Sequence, residues 1–466
     1  MMDWLQIAKK HEQELIEELQ ALLQIESVLD EEAATEEMPF GPGPLAALQF
    51  MLNKGAEAGM QTKNIDNMAG HIEMGEGEDL LGILCHVDVV PEGDRATWTY
   101  PPFEGRIVDG KLYARGAIDD KGPTIAAWLA MKLVQKSGIA LNKRVRMIIG
   151  SDEESGFRCV TRYFEKEEMP TIGFAPDADF PLINAEKGIA AVVLSQKTKP
   201  SADERLVSFE AGKRTNMVPE KATAVLTSVS TDALQNFHNF LADNDVTGTF
   251  IEEDARYIIS VNGKSAHAME PEKGRNAAVL LAQYLSTQLT DGAGKDFADF
   301  MTTVFAGDHY GTALTLNFRD DMSGETTLNP GIVTFNEQGG TIQISMRYAV
   351  TYPFEEKISA AQATIASMPF TLDITGNSKP HYVPEEDALV QTLMGAYQKY
   401  SGDFSKPLST GGGTYARVMK KGVAFGMLFP GEPDVAHQAD EFVVVENLVK
   451  AAAIYAEAIV QLATNE

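Results

Sequence analysis

The chain has 466 residues, of which 44% are hydrophobic and 23% charged, with a formal net charge of −28. That length exceeds what one hydrophobic core usually organises, so two domains are expected of a globular protein. The acidic balance argues against nucleic acid and anionic membranes as partners, and no apolar run approaches the roughly 20 residues that span a bilayer.

The opening stretch MMDWLQIAKKHEQELIEELQALLQI is amphipathic and acidic, unlike a secretory leader. Leu5, Ile7, Leu15, Leu19, Leu22 and Leu23 recur at helical spacing and predict a helix over 5–24. A loop with acidic and Gly/Pro-rich parts follows. Strands and helices then alternate: LLGILCHVDVV (80–90) as a buried strand, KGPTIAAWLAMKLVQKSG (121–138) as a helix with a glycine stop, KRVRMIIGS (143–151) as a strand. SGFRCVTRYFEKEE continues as a helix and TIGFAPD (171–177) as a strand. This alternation predicts an α/β sheet with helices on its faces. Only two cysteines occur, Cys85 and Cys159, which form no disulfide framework and suit a reducing cytosol. Cys85 should face the core, opposite to its neighbour His86.

After about residue 185 the texture changes to strands such as AAVVLSQKT, KATAVLTSVS and ARYIISVNG, mixed with helices such as NAAVLLAQYLSTQL. Two rounds are expected, 186 to about 295 and about 296 to 380. The doubly apolar style returns in GVAFGMLFPG (422–431) and in a closing helix. The simplest organisation is one domain built from both ends, 1–185 and 381–466, with a second domain, 186–380, inserted between them.

In open α/β sheets, functional side chains collect where strands end. Here CHVDVV places His86 and Asp88 on one strand face, and Asp88 is a candidate to orient a ligating His86. Alone, that triplet is as readily a satisfied core histidine. GAIDDKG sets Asp119 and Asp120 before a helix, where aspartate is a common cap. SDEESG ends a strand in Asp152, Glu153 and Glu154, like charges that need solvent, protons or a cation to relieve them. APDADFP supplies Asp177 and Asp179, and PDVAHQADE supplies His437. Two histidines with several acids, and no cysteine among them, suit zinc, manganese or cobalt.

Together, HVDVVPEGD, LYARGAIDDKGP, SDEESG, PDADFP and AHQADE resemble the di-metal peptidases of the M20 clan. More closely they resemble its monomeric bacterial dipeptidases of the PepV type, the Xaa-His or β-Ala-Xaa dipeptidases. GKRTNMVPEKA, VNGKSAHAMEPEKGRNA and STGGGTYAR extend the similarity over essentially the whole chain. The resemblance implies a mixed-sheet di-zinc-peptidase catalytic domain with an inserted α+β lid made of two similar subdomains. It implies that Asp119 bridges two divalent ions, most simply zinc, with His86 and Asp177 on one and Glu154 and His437 on the other. Glu153 would be the general base for a metal-bridging water, and Asp88 would orient His86. The Asp119–Asp120 bond is expected to be cis.

The inserted domain would contribute His267 to oxyanion stabilisation, and Asn216 and Arg347 to substrate binding. Arg347 offers a bidentate fork to a peptide carboxylate. The backbone around Gly413 would line the same end of the substrate; its glycine-rich segment allows close approach and lacks the Lys-Ser/Thr of a phosphate loop. The expectation is a cytoplasmic, monomeric dipeptidase. The competing readings are a clan relative that deacylates or desuccinylates N-acyl amino acids, and a catalytically silent metal-binding scaffold.

Overall fold

The computed structural model describes residues 2–202 and 204–464. The chain forms two compact units. The first runs up to Asn184 and resumes over Tyr382–Leu408 and from Gly413 on; the second is Ala185–His381 with Ser409–Gly412. The insertion expected at 186–380 thus begins one residue earlier and ends one later, and it gains a tetrapeptide from far along the chain. Lys187 donates its backbone N–H to the Thr410 carbonyl at 3.0 Å, and Arg347 donates to the Gly411 carbonyl at 3.0 Å. Such pairing has no local sequence signature.

The first unit is built on a mixed sheet. Its neighbours run Gln61–Ile65, Ala69–Met74, Arg144–Gly150, Leu80–His86, Ile172–Ala175 and Gly422–Ala424. The last four are mutually parallel, while Ala69–Met74 is antiparallel to both its neighbours. Leu80–His86 is buried at every position, as a strand covered on both faces must be. One face carries Lys121–Ser137, whose residues from Lys121 to Val134 are all buried, packed against the closing helix Val445–Thr464. Cys85 lies in this core, on the opposite side from the chemistry of His86. The other face holds a smaller cluster in which Cys159, Val160 and Tyr163 of the helix Arg158–Lys166 meet Tyr415.

The helix expected over 5–24 is two helices, Trp4–Lys9 and Glu12–Leu23. The first packs mainly on Val445–Thr464 and the second mainly on Lys121–Ser137. An unbroken helix would follow one axis, whereas these two apolar faces follow two partners. Elsewhere the glycine stop is realised: Gly138 caps its helix with φ 69°, a left-handed conformation glycine adopts without penalty. Among the described residues, no helix is long and apolar enough to cross a membrane.

The second unit is built on one eight-stranded antiparallel sheet. Its strand order is Thr247–Glu253, Arg256–Asn262, Lys221–Leu226, Leu206–Ala211, Thr327–Asn336, Gly339–Tyr348, Gly188–Gln196 and Phe370–Ser378. The two rounds of sequence become halves of this sheet rather than separate bodies. Gly188–Gln196, from the first round, lies between strands of the second. One continuous core, with Phe209, Phe297, Leu285 and Ile344 buried in it, serves both halves.

Candidate metal centre

The parallel strands deliver the first ligands. His86 ends Leu80–His86 and pairs in register with Gly150, whose strand runs on into Glu153 and Glu154; Asp177 follows Ile172–Ala175. These carboxyl ends lie side by side because the strands are parallel, which is where open α/β sheets gather function. Asp119 stands before the helix Lys121–Ser137, and the Asp119–Asp120 peptide bond is cis. His437 comes from the loop ahead of the closing helix, with φ 62°.

Two groups result. His86, Glu153 and Asp177 bring one potential ligand atom each to within 4.8 Å of one another, and so do Asp119, Glu154 and His437. Asp119 links them: Oδ1 lies 3.1 Å from His86 Nε2 and Oδ2 lies 3.0 Å from His437 Nε2. Asp177 Oδ2 is 3.6 Å from His86 Nε2, and Glu154 Oε1 is 3.1 Å from His437 Nε2. Glu153, expected only as a base, therefore also lies within reach of the first group.

The protonation of His86 tests whether these residues suit a cation. Its Nδ1 lies 3.0 Å from the Asp88 carbonyl. A carbonyl only accepts, so Nδ1 carries a proton. Burial pulls the ring's pKa down, but the carboxylates of Asp119, Asp177 and Asp88 outweigh it and hold it well above the ordinary histidine value. That buried Nε2 makes no hydrogen bond and faces the oxygens of Asp119 and Asp177. A ring nitrogen aimed at two carboxylate oxygens calls for a positive charge between them, which a proton or a divalent ion supplies. One imidazole and several carboxylates per group fit zinc, manganese or cobalt.

Among protein groups alone, the electrostatics carry the same message. Burial pushes Glu153 well above the usual carboxylate range. Burial, then the charge of Asp119, raises Glu154 to about 7 despite the His437 hydrogen bond. Burial and Asp119 also raise Asp177. For Asp119 burial acts upward, but bonds from His437 and His86 outweigh it and hold the group low. Hydrogen bonds to Asp119 and Glu154 lift His437 to about 11. Acids crowded this closely favour an added positive charge.

Asp88 reaches both His86 and the acidic turn. Its carbonyl orients His86, while its carboxylate mainly accepts the backbone N–H groups of Glu153 and Glu154, both at 3.1 Å, with His86 Nδ1 at 3.5 Å. It thus fixes the acidic turn as well as the imidazole. Asp120 stands at the N-cap but makes no side-chain cap bond; its Oδ2 accepts from the His86 N–H at 3.0 Å and from Thr124 Oγ1 at 3.1 Å. Asp152 binds Arg158 through its N–H, Nε and Nη2 at 2.6–2.9 Å, anchoring the turn to the next helix.

In the inserted unit, an antiparallel bridge Met217↔His267 sets Asn216 beside the His267 segment, and Ala268 donates to the Asn216 carbonyl at 2.9 Å. Arg347 is only 6% exposed rather than a strand surface charge. Its Nε donates to Ser345 Oγ at 3.2 Å, and its register partner Thr327 donates to the Ala268 carbonyl at 3.3 Å. These three therefore share one neighbourhood of that unit. Gly413 belongs to the first unit, where an added Cβ would stand 2.3 Å from Arg417 Nη1. Two residues escaped sequence reasoning altogether. Arg115 and Glu441, in LYARGAIDD and AHQADE, form a buried ion pair beneath Asp119; a charged letter in a motif does not reveal its partner.

The mixed sheet, with His86 and acids at its carboxyl ends and His437 brought in by a loop, is an α/β fold organised around a candidate metal centre. The model of peptidase family M20/M25/M40 matches residues 82–461, and the chain belongs to that family. "Putative dipeptidase YtjP" of Bacillus subtilis (strain 168) is 48% identical over 99% of this chain and 100% of its own length. "Putative dipeptidase" of Staphylococcus epidermidis (strain ATCC 12228 / FDA PCI 1200) is 41% identical over 99% of this chain and 100% of its own length. Human carnosine dipeptidase 1 shares the fold with a TM-score of 0.58 at 13% identity, covering 99% of this chain and 98% of its own. Aminoacylhistidine dipeptidase from Vibrio alginolyticus does so with 0.55 at 14%, covering 97% of each chain.

Proposed function

We propose that this peptidase-family chain is a metal-dependent dipeptidase acting on short unblocked peptides. The observation that carries the reading is Asp119, which offers one oxygen to each of two histidines at the centre of two ligand groups. The names of the full-length relatives support the choice of dipeptides as substrate class.

His86 and Asp177 would hold one divalent ion, Glu154 and His437 the other, and Asp119 both. Bound there, such ions supply Lewis acidity toward a carbonyl and lower the pKa of water. Glu153 accepts the proton of the attacking water and returns it to the leaving amine. Asp88 and Asp120 hold the backbone around Glu153, Glu154 and His86, so the reacting groups need no rearrangement. His267 as oxyanion donor, and Asn216, Arg347 and the Gly413 backbone as substrate binders, follow from the family resemblance and belong to the same proposal. So do zinc as the resident metal, a monomeric state and a cytoplasmic location.

A panel of dipeptides set against N-acetyl and N-succinyl amino acids, with zinc, manganese and cobalt, tests the reading. Hydrolysis of the free dipeptides is expected. Preference for the acylated compounds would make the chain a deacylase or desuccinylase, and inactivity on all of them would make it a silent scaffold.

A further inference from the structure

Arg115 and Glu441 join the chain segments that carry Asp119 and His437. Glu441 is fully buried and Arg115 is 2% exposed. Arg115 Nη1 donates to Glu441 Oε2 at 2.6 Å and to the Gln438 carbonyl, one residue past His437, at 3.3 Å. The other carboxylate oxygen, Oε1, accepts the backbone N–H groups of Ile118 at 3.0 Å and Asp119 at 3.3 Å. Ala114 donates its N–H to the Glu441 carbonyl at 3.0 Å, and Phe442–Val444 then pairs with Lys111–Tyr113. The Trp98 ring lies 5.3 Å from the guanidinium centre. One carboxylate thus grips the amide of the residue shared by both histidines, while its partner grips the loop bearing His437.

The other ligand group has a different foundation. His86, Glu153 and Asp177 are delivered by parallel strands bonded to one another in the sheet. Of the second group only Glu154 shares that foundation, following the same strand as Glu153. His437 arrives on a loop and Asp119 on an irregular segment, so these two need a separate tether. A buried ion pair is weak evidence of added stability, because desolvating both charges offsets most of their attraction. Orientation of loop-borne ligands is a role it suits better.

We propose that Arg115 and Glu441 are positioning residues that set the Asp119–Glu154–His437 cation site, while the sheet sets the His86–Glu153–Asp177 site. The proposal rests on reading the two groups as cation sites, and it goes beyond the assigned ligands to what aims them. The test is zinc titration of the metal-stripped full-length protein against a chromophoric chelator, for wild type, Glu441→Gln, Arg115→Lys and His437→Ala. Melting of each metal-free protein is followed in parallel by circular dichroism.

Wild type is expected to take up two ions. Glu441→Gln should bind the ion at the His437 group about 10- to 100-fold more weakly. The other ion should be less weakened, because Asp119 is shared by both groups whereas the His437 loop is not. His437→Ala should weaken the same ion. Arg115→Lys, which keeps the charge but not the fork, should show the same selective loss in smaller degree, and it decides the matter if Glu441→Gln does not fold. Equal weakening of both ions, or none in a variant that melts like wild type, overturns the positioning role. Fewer than two ions in wild type overturns the cation-site reading itself, and the proposal falls with its premise.

Discussion

Asp119 and His437 meet across more than half the chain, with Oδ2 3.0 Å from Nε2, while the other oxygen of the same carboxylate lies 3.1 Å from His86. One side chain therefore belongs to both ligand groups, and its loss should be felt in both. Asp119→Asn keeps the shape and removes the charge. Metal analysis after dialysis should show both ions depleted, whereas His437→Ala should deplete one. Equal depletion by the two variants would contradict the bridging role.

Glu153 is expected to act on protons more than as a ligand. Glu153→Gln should lower kcat by about 10²–10⁴-fold, the range typical of a lost general acid–base group, with both ions retained by elemental analysis. Loss of an ion would instead make Glu153 a ligand of the His86–Asp177 group, a role its position permits.

Removing the metal should destabilise the fold as well as silence it. Glu153, Glu154 and Asp177 all have carboxyl pKa values pushed upward by burial, so cations relieve their crowding. Adding zinc to metal-stripped protein at about 100 times the dissociation constant should stabilise it by about 2.7 kcal/mol per site. Differential scanning calorimetry with and without zinc measures this; an unchanged Tm would speak against both sites.

Asp152 should prove structural. Its side chain is fully buried and accepts three bonds from Arg158. Asp152→Ala strands the Arg158 amide and is expected to cost about 2–3 kcal/mol in urea unfolding. Arg158→Ala, which leaves that amide bond's acceptor in place, should cost less.

A pH effect is expected far from the metal centre. Burial, then the charge of Arg146, lowers His71 from its ordinary 6.5 to about 4, and its Nδ1 lies 2.7 Å from Tyr163 Oη. Between those values the unfolded chain binds the proton and the folded protein does not, so stability falls as pH drops from 6.5 toward 4. The loss is at most about 3.5 kcal/mol, at 1.4 kcal/mol per pKa unit. Urea midpoints of wild type and His71→Gln across that window should converge on acidification; a constant gap would show that His71 is not responsible.

Much of this was legible in the letters. The apolar run that opens LLGILCHVDVV predicted a buried strand, because covered parallel strands are apolar on both faces. The glycine stop at Gly138 and the acids placed after strand ends were equally readable, since capping and strand-end chemistry depend on near neighbours. The break between Trp4–Lys9 and Glu12–Leu23 was not, because it answers to two different helices, Val445–Thr464 and Lys121–Ser137, both far along the chain.

The sequence by itself determined which residues are candidates for the proposed chemistry: His86, Asp119, Glu153, Glu154, Asp177 and His437 stand in motifs whose residue types suit divalent ions. Tertiary structure alone decided how they are aimed. It placed the Asp88 carboxylate on the amides of Glu153 and Glu154, gave Asp152 to Arg158, and buried Glu441 against Arg115 under the Asp119 backbone. Ligand identity is a property of single side chains and survives in a one-dimensional string. Orientation comes from hydrogen bonds between distant segments, whose pairing is set only when the chain packs.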